Sequence, residues 1–294
     1  MRATVLGCLC TAMLASCAAP LPPTKPLQPD PPYTAPQHVI PAELNVVARI
    51  DWARAGTQQV RPEVLGYIRA VGIDERMLEP LQGCLDQAAT LWIGMRLARA
   101  GFEGDSLLIV AGRAGEAVPC DAKGWQPGAQ VREVSTYVPD KPDEDRRAAG
   151  LLARDPRGFV LVASTAQVDP VLRILREGPD QDHLEPASDS LVSVEARLGP
   201  DTIPDGLRGK VPFFADMARG IEHVRLQADA PGPVKVRVAL SYGSAQDAKK
   251  AGELLTRFRN AMTGSEKPAW QAAASSAHAS VFETMLKLSF EVPR

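Results

Sequence analysis

In the last third of the chain, hydrophobic and polar residues alternate with a period of two. Val224, Leu226 and Ala228 stand against Arg225, Gln227 and Asp229, and Val234, Val236, Val238 and Leu240 against Lys235, Arg237 and Ala239. Successive side chains of a strand point to opposite faces, so the pattern predicts two half-buried strands joined by the turn Pro231-Gly232-Pro233. After Ser244 the period changes. Ala248, Ala251, Leu254, Leu255, Phe258 and Met262 recur at helical spacing behind a Ser244 N-cap with Asp247 at the third position. Leu286, Leu288, Phe290 and Val292 return to strand alternation, and Val236, Val238, Leu254, Leu255, Phe258, Leu288 and Phe290 are expected to close into one buried layer.

The preceding part of the chain is less regular. Residues 45–50 form a β-branched run that predicts a strand, and Val64, Leu65, Ile68 and Val71 predict a helix over 62–71 that stops at Gly72. Asp74 caps a second helix with Met77, Leu78, Leu81 and Leu85 on its apolar face. Residues 90–97 alternate Leu91, Ile93, Met95 and Leu97 with Trp92, Gly94 and Arg96, and a turn over 98–105 leads to a second strand at 106–113, so the pair reads as a hairpin. A weaker strand at 131–138 and a charged exposed loop at 139–147 come next. A buried strand at 158–163, a helix opened by Asp169-Pro170 and stopped by Gly178, and a strand at 190–198 complete this part.

Strands polar on one face imply antiparallel sheets with helices packed on the other face, so the expected class is α+β. Asp105-Ser-Leu-Leu-Ile-Val-Ala-Gly-Arg113 and Asp189-Ser-Leu-Val-Ser-Val-Glu-Ala-Arg197 share Asp, Ser, Leu, Val and Arg. This echo reads either as a duplicated β-α-β module or as a coincidence of two strand starts. The body is expected to form two related sheet-and-helix halves, 42–200 and 201–294, preceded by a segment at 1–16 and a proline-rich stretch at 17–41.

The first seventeen residues have a different character. Arg2 supplies one positive charge, residues 5–14 are apolar but too short to span a bilayer, and Leu14-Ala15-Ser16-Cys17 follows. This motif resembles the lipobox of bacterial lipoproteins, whose signal peptide is cut before a cysteine that becomes the acylated N-terminus. The resemblance implies that residues 1–16 are a signal peptide and that Cys17 carries acyl chains such as palmitate. Ala18, in place of Asp after the cysteine, implies an outer-membrane anchor facing the periplasm. Two or three acyl chains hold durably, at roughly 0.8 kcal/mol per buried methylene.

Pro20, Pro22, Pro23, Pro26, Pro29, Pro31, Pro32, Pro36 and Pro41 crowd the next stretch, which therefore favours polyproline II over a packed core. It reads as a tether, with a PxxP ligand for a partner groove as the other reading. The chain of 294 residues has a formal charge of −2 and shows no basic stripe, which argues against nucleic acid as a partner. Cys84 and Cys120 remain as an even pair in an oxidising compartment, so they are expected to form a disulfide, with two buried thiols as the other reading.

Catalytic signatures are sparse. GxSxG, HExxH and paired-cysteine zinc spacings are missing, and Ala111-Gly-Arg-Ala-Gly115 lacks the spacing and ending of a phosphate loop. Ser275 and Ser276 beside His278 suggest a nucleophile and base only if the fold brings them together with an orienting group. Asp180, Asp182, His183 and Glu185, with Asp189 nearby, form the most ligand-like cluster, but without EF-hand order they read as a solvated loop. His38 falls in the linker and His223 on a strand rim, while Arg113 and Arg197 recur in the echo as candidates for a paired anion clamp. No catalytic residue, metal or cofactor is therefore assigned. The expected function is a non-catalytic binding or scaffold module of the cell envelope, held to membrane lipid through Cys17 and taking an envelope protein as partner. The alternative is a lipid-anchored hydrolase with scattered residues such as Ser276, His278 and Asp182.

Overall fold

A computed structural model describes residues 35–98, 101–113, 116, 118–120, 122–199, 202, 216–230 and 232–293; the signal segment, Cys17 and most of the proline-rich stretch lie outside them. The strands are β1 (Val46–Asp51), β2 (Thr90–Ala98), β3 (Gly101–Ala111), β4 (Trp125–Pro127), β5 (Ser135–Pro139) and β6 (Ala149–Asp155). They continue with β7 (Phe159–Ser164), β8 (Val192–Arg197), β9 (Ile221–Asp229), β10 (Val234–Tyr242), β11 (His278–Phe282) and β12 (Met285–Val292). All twelve join one sheet in the order β11-β12-β10-β9-β8-β1-β2-β3-β7-β6-β5-β4. The pairings are antiparallel, which is the α+β architecture expected. Segments 42–200 and 201–294 adjoin where β8 pairs with β9, with Val194 opposite Leu226, so the sheet runs unbroken from one to the other.

Helices α1 (Trp52–Thr57), α2 (Arg61–Ala70), α3 (Glu75–Leu78) and α4 (Gln82–Leu85) cover one face of the central strands. There Trp52, Met77 and Leu81 pack with Val46, Ile93, Leu108 and Val162. Helix α5 (Val168–Glu177) and a 3-10 turn at Pro36–Val39 cover the opposite face, where Val171, Ile174 and Leu175 pack with Val47, Ile109 and Leu161. Two-sided cover explains why every residue of β7 is buried and why Trp92, on the polar side of its alternation, is buried as well. The register Val46–Ala196–Val224 places Val224 on the α1–α4 face, and α6 (Ala245–Met262) packs there, with α7 (Pro268–Ser276) beside it. Among the described residues, helices gather mainly on one side, and α5 covers the middle of the other.

Several local expectations hold at atomic detail. Ser244 Oγ accepts the Asp247 amide at 3.1 Å, Asp74 caps α3 through the Arg76 amide at 2.9 Å, and Gly178 ends α5 at a φ of 113°. Cys84 and Cys120 form a disulfide across a Cα separation of 4.7 Å, which resolves the open pairing.

Others change. The helix begun at Asp74 splits into α3, a 3-10 turn at Glu79–Leu81 and α4, because Pro80 cannot donate an intrahelical hydrogen bond. Gln167, rather than Asp169, is the N-cap of α5. Ser275, Ser276 and His278 fall at the end of α7 and the start of β11. Helix α7 escaped notice because its alanine-rich sequence has little amphipathic contrast.

Candidate functional site

The apolar layer after residue 220 is only partly sealed. Ala248, Ala251, Leu286, Ile221 and Tyr242 are buried together. Gly252 allows α6 to approach β11, since a Cβ there would lie 2.6 Å from the Val281 side chain. Past this contact the packing opens. Val236, Val238, Leu254, Leu255, Phe258, Leu288 and Phe290 are half-buried rather than enclosed, which corrects the expectation of one closed layer. Leu255, Phe258, Trp270, Leu288 and Phe290 instead line a cavity of about 300 Å³ between the sheet, α6 and α7. The cause lies in α7 and its C-cap, where Ala273, Ala274 and Ala277 face this space with single methyl groups.

The wall is almost wholly hydrocarbon, with Arg259 as the charged residue on it. The Arg259 guanidinium lies 3.5 Å from the Ala277 carbonyl, and Phe258 and Trp270 meet edge to face at 6.3 Å. Tyr242 donates its hydroxyl to the Met217 carbonyl at 3.0 Å, holding another wall residue in place. Burial and the neighbouring Asp247 carboxylate push the Tyr242 phenol well above its usual range, so it stays neutral and donating.

The opposite face of β8–β12 carries a trough of about 710 Å³. Its floor comes from the polar half of the alternation, including Glu195, Arg225, Arg237, Lys287 and Ser289. Arg225 pairs with Glu195 at 2.9 Å, and Arg237 reaches Asp229 and Ser190, each at 3.1 Å. These cross-strand pairs occupy the largest charges on each other.

A third constellation sits at the trough's edge. His38, from the 3-10 turn, meets His183 with ring centroids 4.8 Å apart, and both rings point Nε2 at Glu185 Oε1, at 3.5 and 2.8 Å. The hydrogen bond from His183, and then that from His38, lowers the Glu185 carboxyl below its usual range. The rest of the sequence cluster is engaged elsewhere. Asp180 pairs with Arg173 and accepts the Ala42 amide, the Asp182 carbonyl accepts from Arg197, and Asp189 accepts from Gln227. His38 was missed as a member because nothing local marks a histidine so far along the chain.

The remaining sequence candidates do not assemble. Ser276 Oγ accepts the Glu291 amide at 2.8 Å and lies 3.2 Å from the Ala273 carbonyl, and no hydrogen bond joins it to His278 or Asp182 among the described residues. Arg113 and Arg197 form no clamp. Ala196, one residue before Arg197 at the end of β8, is level with Ser106 through Val46 and Met95, whereas Arg113 lies beyond Ala111 at the Thr90 end of the β2–β3 ladder.

The class defined by this geometry is an α+β protein built on one twelve-stranded antiparallel sheet with an open apolar cavity at its C-terminal end. Crystal forms I and III of TP0453 are similar to it in fold. The first has a TM-score of 0.52 at 12% identity over 88% of this chain and 92% of that one, and the second 0.51 at 12% over 88% and 94%. No family model and no curated protein sequence matches the chain.

Proposed function

We propose that this chain is a lipid-anchored, non-catalytic binding module of the bacterial outer membrane, facing the periplasm, and that its α6–α7 cavity takes the acyl chain of an anionic lipid. The cavity carries this reading. Apolar side chains that a closed core would cover instead surround about 300 Å³ of open space, at the lower end of small-molecule pockets. A single cation, Arg259, stands on its wall where a negatively charged headgroup would be met. The Leu14–Cys17 motif and the proline-rich tether would keep this body within reach of lipid. Catalysis plays no part in the reading, since the Ser276 hydroxyl serves the backbone of α7 and β12.

Native mass spectrometry and displacement of a fluorescent fatty acid from the full mature chain test it. Binding of one acyl chain per protein is expected, and Ala273→Phe, which fills the cavity, should abolish it while the melting temperature is kept. Equal binding by the filled variant would overturn the reading.

A further inference from the structure

We infer that His38, His183 and Glu185 form a binding site for a divalent transition-metal ion of the zinc type. It is separate from the apolar cavity and joins the segment entering the folded body to the loop between α5 and β8.

The inference starts from atoms. The Asp180 carbonyl, 3.1 Å from His183 Nδ1, can only accept a hydrogen bond, so Nδ1 carries the hydrogen. Nε2 of that ring is then the ligating nitrogen, and it faces Glu185 Oε1 at 2.8 Å. A bare lone pair opposite a carboxylate oxygen is repulsive, so this contact needs either a proton or a metal cation between the two atoms. His38 brings a second Nε2 to the same oxygen at 3.5 Å, so two imidazoles and one carboxylate converge on a single point. Two protonated rings in edge contact would repel each other, whereas one divalent ion serves all three groups.

Size and chemistry agree. The three donor atoms lie within 4.8 Å of one another. Zinc bonds of about 2.0–2.1 Å set tetrahedral ligand atoms roughly 3.3–3.4 Å apart, so modest side-chain rotation closes the site. Glu185 supplies that freedom, its side chain being 60% exposed, and both imidazoles are held more firmly at 18% and 21%. Two nitrogen donors favour zinc, copper or nickel over calcium or magnesium, which prefer all-oxygen shells. The contact from His183 Nδ1 to the Asp180 carbonyl is the kind of outer hydrogen bond that orients a ligating imidazole. A fourth ligand, water or a group from a partner, would complete the tetrahedron.

The metal would also act as a clip. His38 belongs to the turn at Pro36–Val39, at the C-terminal end of the proline-rich stretch, and Glu185 follows α5. Binding to the folded arrangement alone raises its stability.

Isothermal titration of zinc chloride into the full mature chain, purified without a histidine tag, tests the site, with X-ray absorption at the zinc edge to identify ligands. One zinc per chain with two imidazole ligands is expected. His38→Ala, His183→Ala and Glu185→Gln should each weaken binding at least tenfold, and His223→Ala should leave it unchanged. Glu185→Gln alters an exposed side chain and so keeps the fold if an alanine variant does not. No uptake at micromolar zinc, or uptake equal in wild type and Glu185→Gln with fewer than two imidazoles at the metal, would overturn the inference. Neither result bears on acyl binding at the α6–α7 cavity.

Discussion

Phe258 of α6 and Trp270 of α7 meet edge to face, with ring centroids 6.3 Å apart and planes at 88°. Aromatic pairs favour this arrangement because the positive edge of one ring meets the negative face of the other. Trp270 is 48% exposed, so the pair bridges the two helices at an open wall and not in a sealed core.

A core phenylalanine cut to alanine costs roughly 3–5 kcal/mol, and half-burial at an open cavity reduces this for Phe258→Ala to about 1–2 kcal/mol. Leu161→Ala, at a fully enclosed position of β7, should cost roughly 2–5 kcal/mol. Urea unfolding of both variants checks the contrast. Equal losses would show that the α6–α7 layer is closed in solution.

The Cys84–Cys120 bridge ties the end of the α1–α4 layer to the segment after β3, across a sequence separation of 36. Closing such a loop is worth about 4 kcal/mol on the chain-entropy account. Cys84→Ala with Cys120→Ala should lower stability by up to that amount, measured against the oxidised wild type. Non-reducing peptide mapping should recover the two cysteines linked.

Arg76 gathers three acidic residues of two segments, meeting Asp74 at 2.6 Å and Asp145 at 2.7 Å as well as Asp143. The guanidinium hydrogen bond holds Asp74 below its ordinary value of 3.8, and the Arg147 amide and Arg76 together do the same for Asp145. Carboxyls with depressed native pKa bind fewer protons folded than unfolded in that range, so stability rises with pH there. The contribution is present in full above about pH 5 and is lost as pH falls through the lowered native values. Arg76→Gln should therefore narrow the stability difference between pH 6 and pH 3. An unchanged acid profile by circular dichroism would remove the network from the account.

Cys17→Ser is expected to move the protein from the membrane fraction to the soluble periplasmic fraction. Fractionation with immunodetection checks this, and unchanged membrane association would refute the anchor.

Much of the fold was legible because its signals are local. The alternation of Val224, Leu226 and Ala228 and the Ser244 cap each act within a few residues, and β9, β10 and α6 form where they predict. The α+β class followed from half-polar strands, and bridging of the two body cysteines was one of its two readings. Short β4 and the alanine-rich α7 carry weaker patterns and were not visible.

By itself, then, the sequence determined which side of each long strand is apolar and where the main helices start. Tertiary structure alone decided whether those apolar sides would be closed. That depends on the bulk of the element lying across them, and α7 with its C-cap presents Ala273, Ala274 and Ala277 where a sealed core would need larger side chains. The same holds for His38 and Glu185, which share no local pattern. They meet because the 3-10 turn at Pro36–Val39 and α5 pack on one face of the sheet, which brings the segment before β1 against the loop before β8, its hydrogen-bonded neighbour.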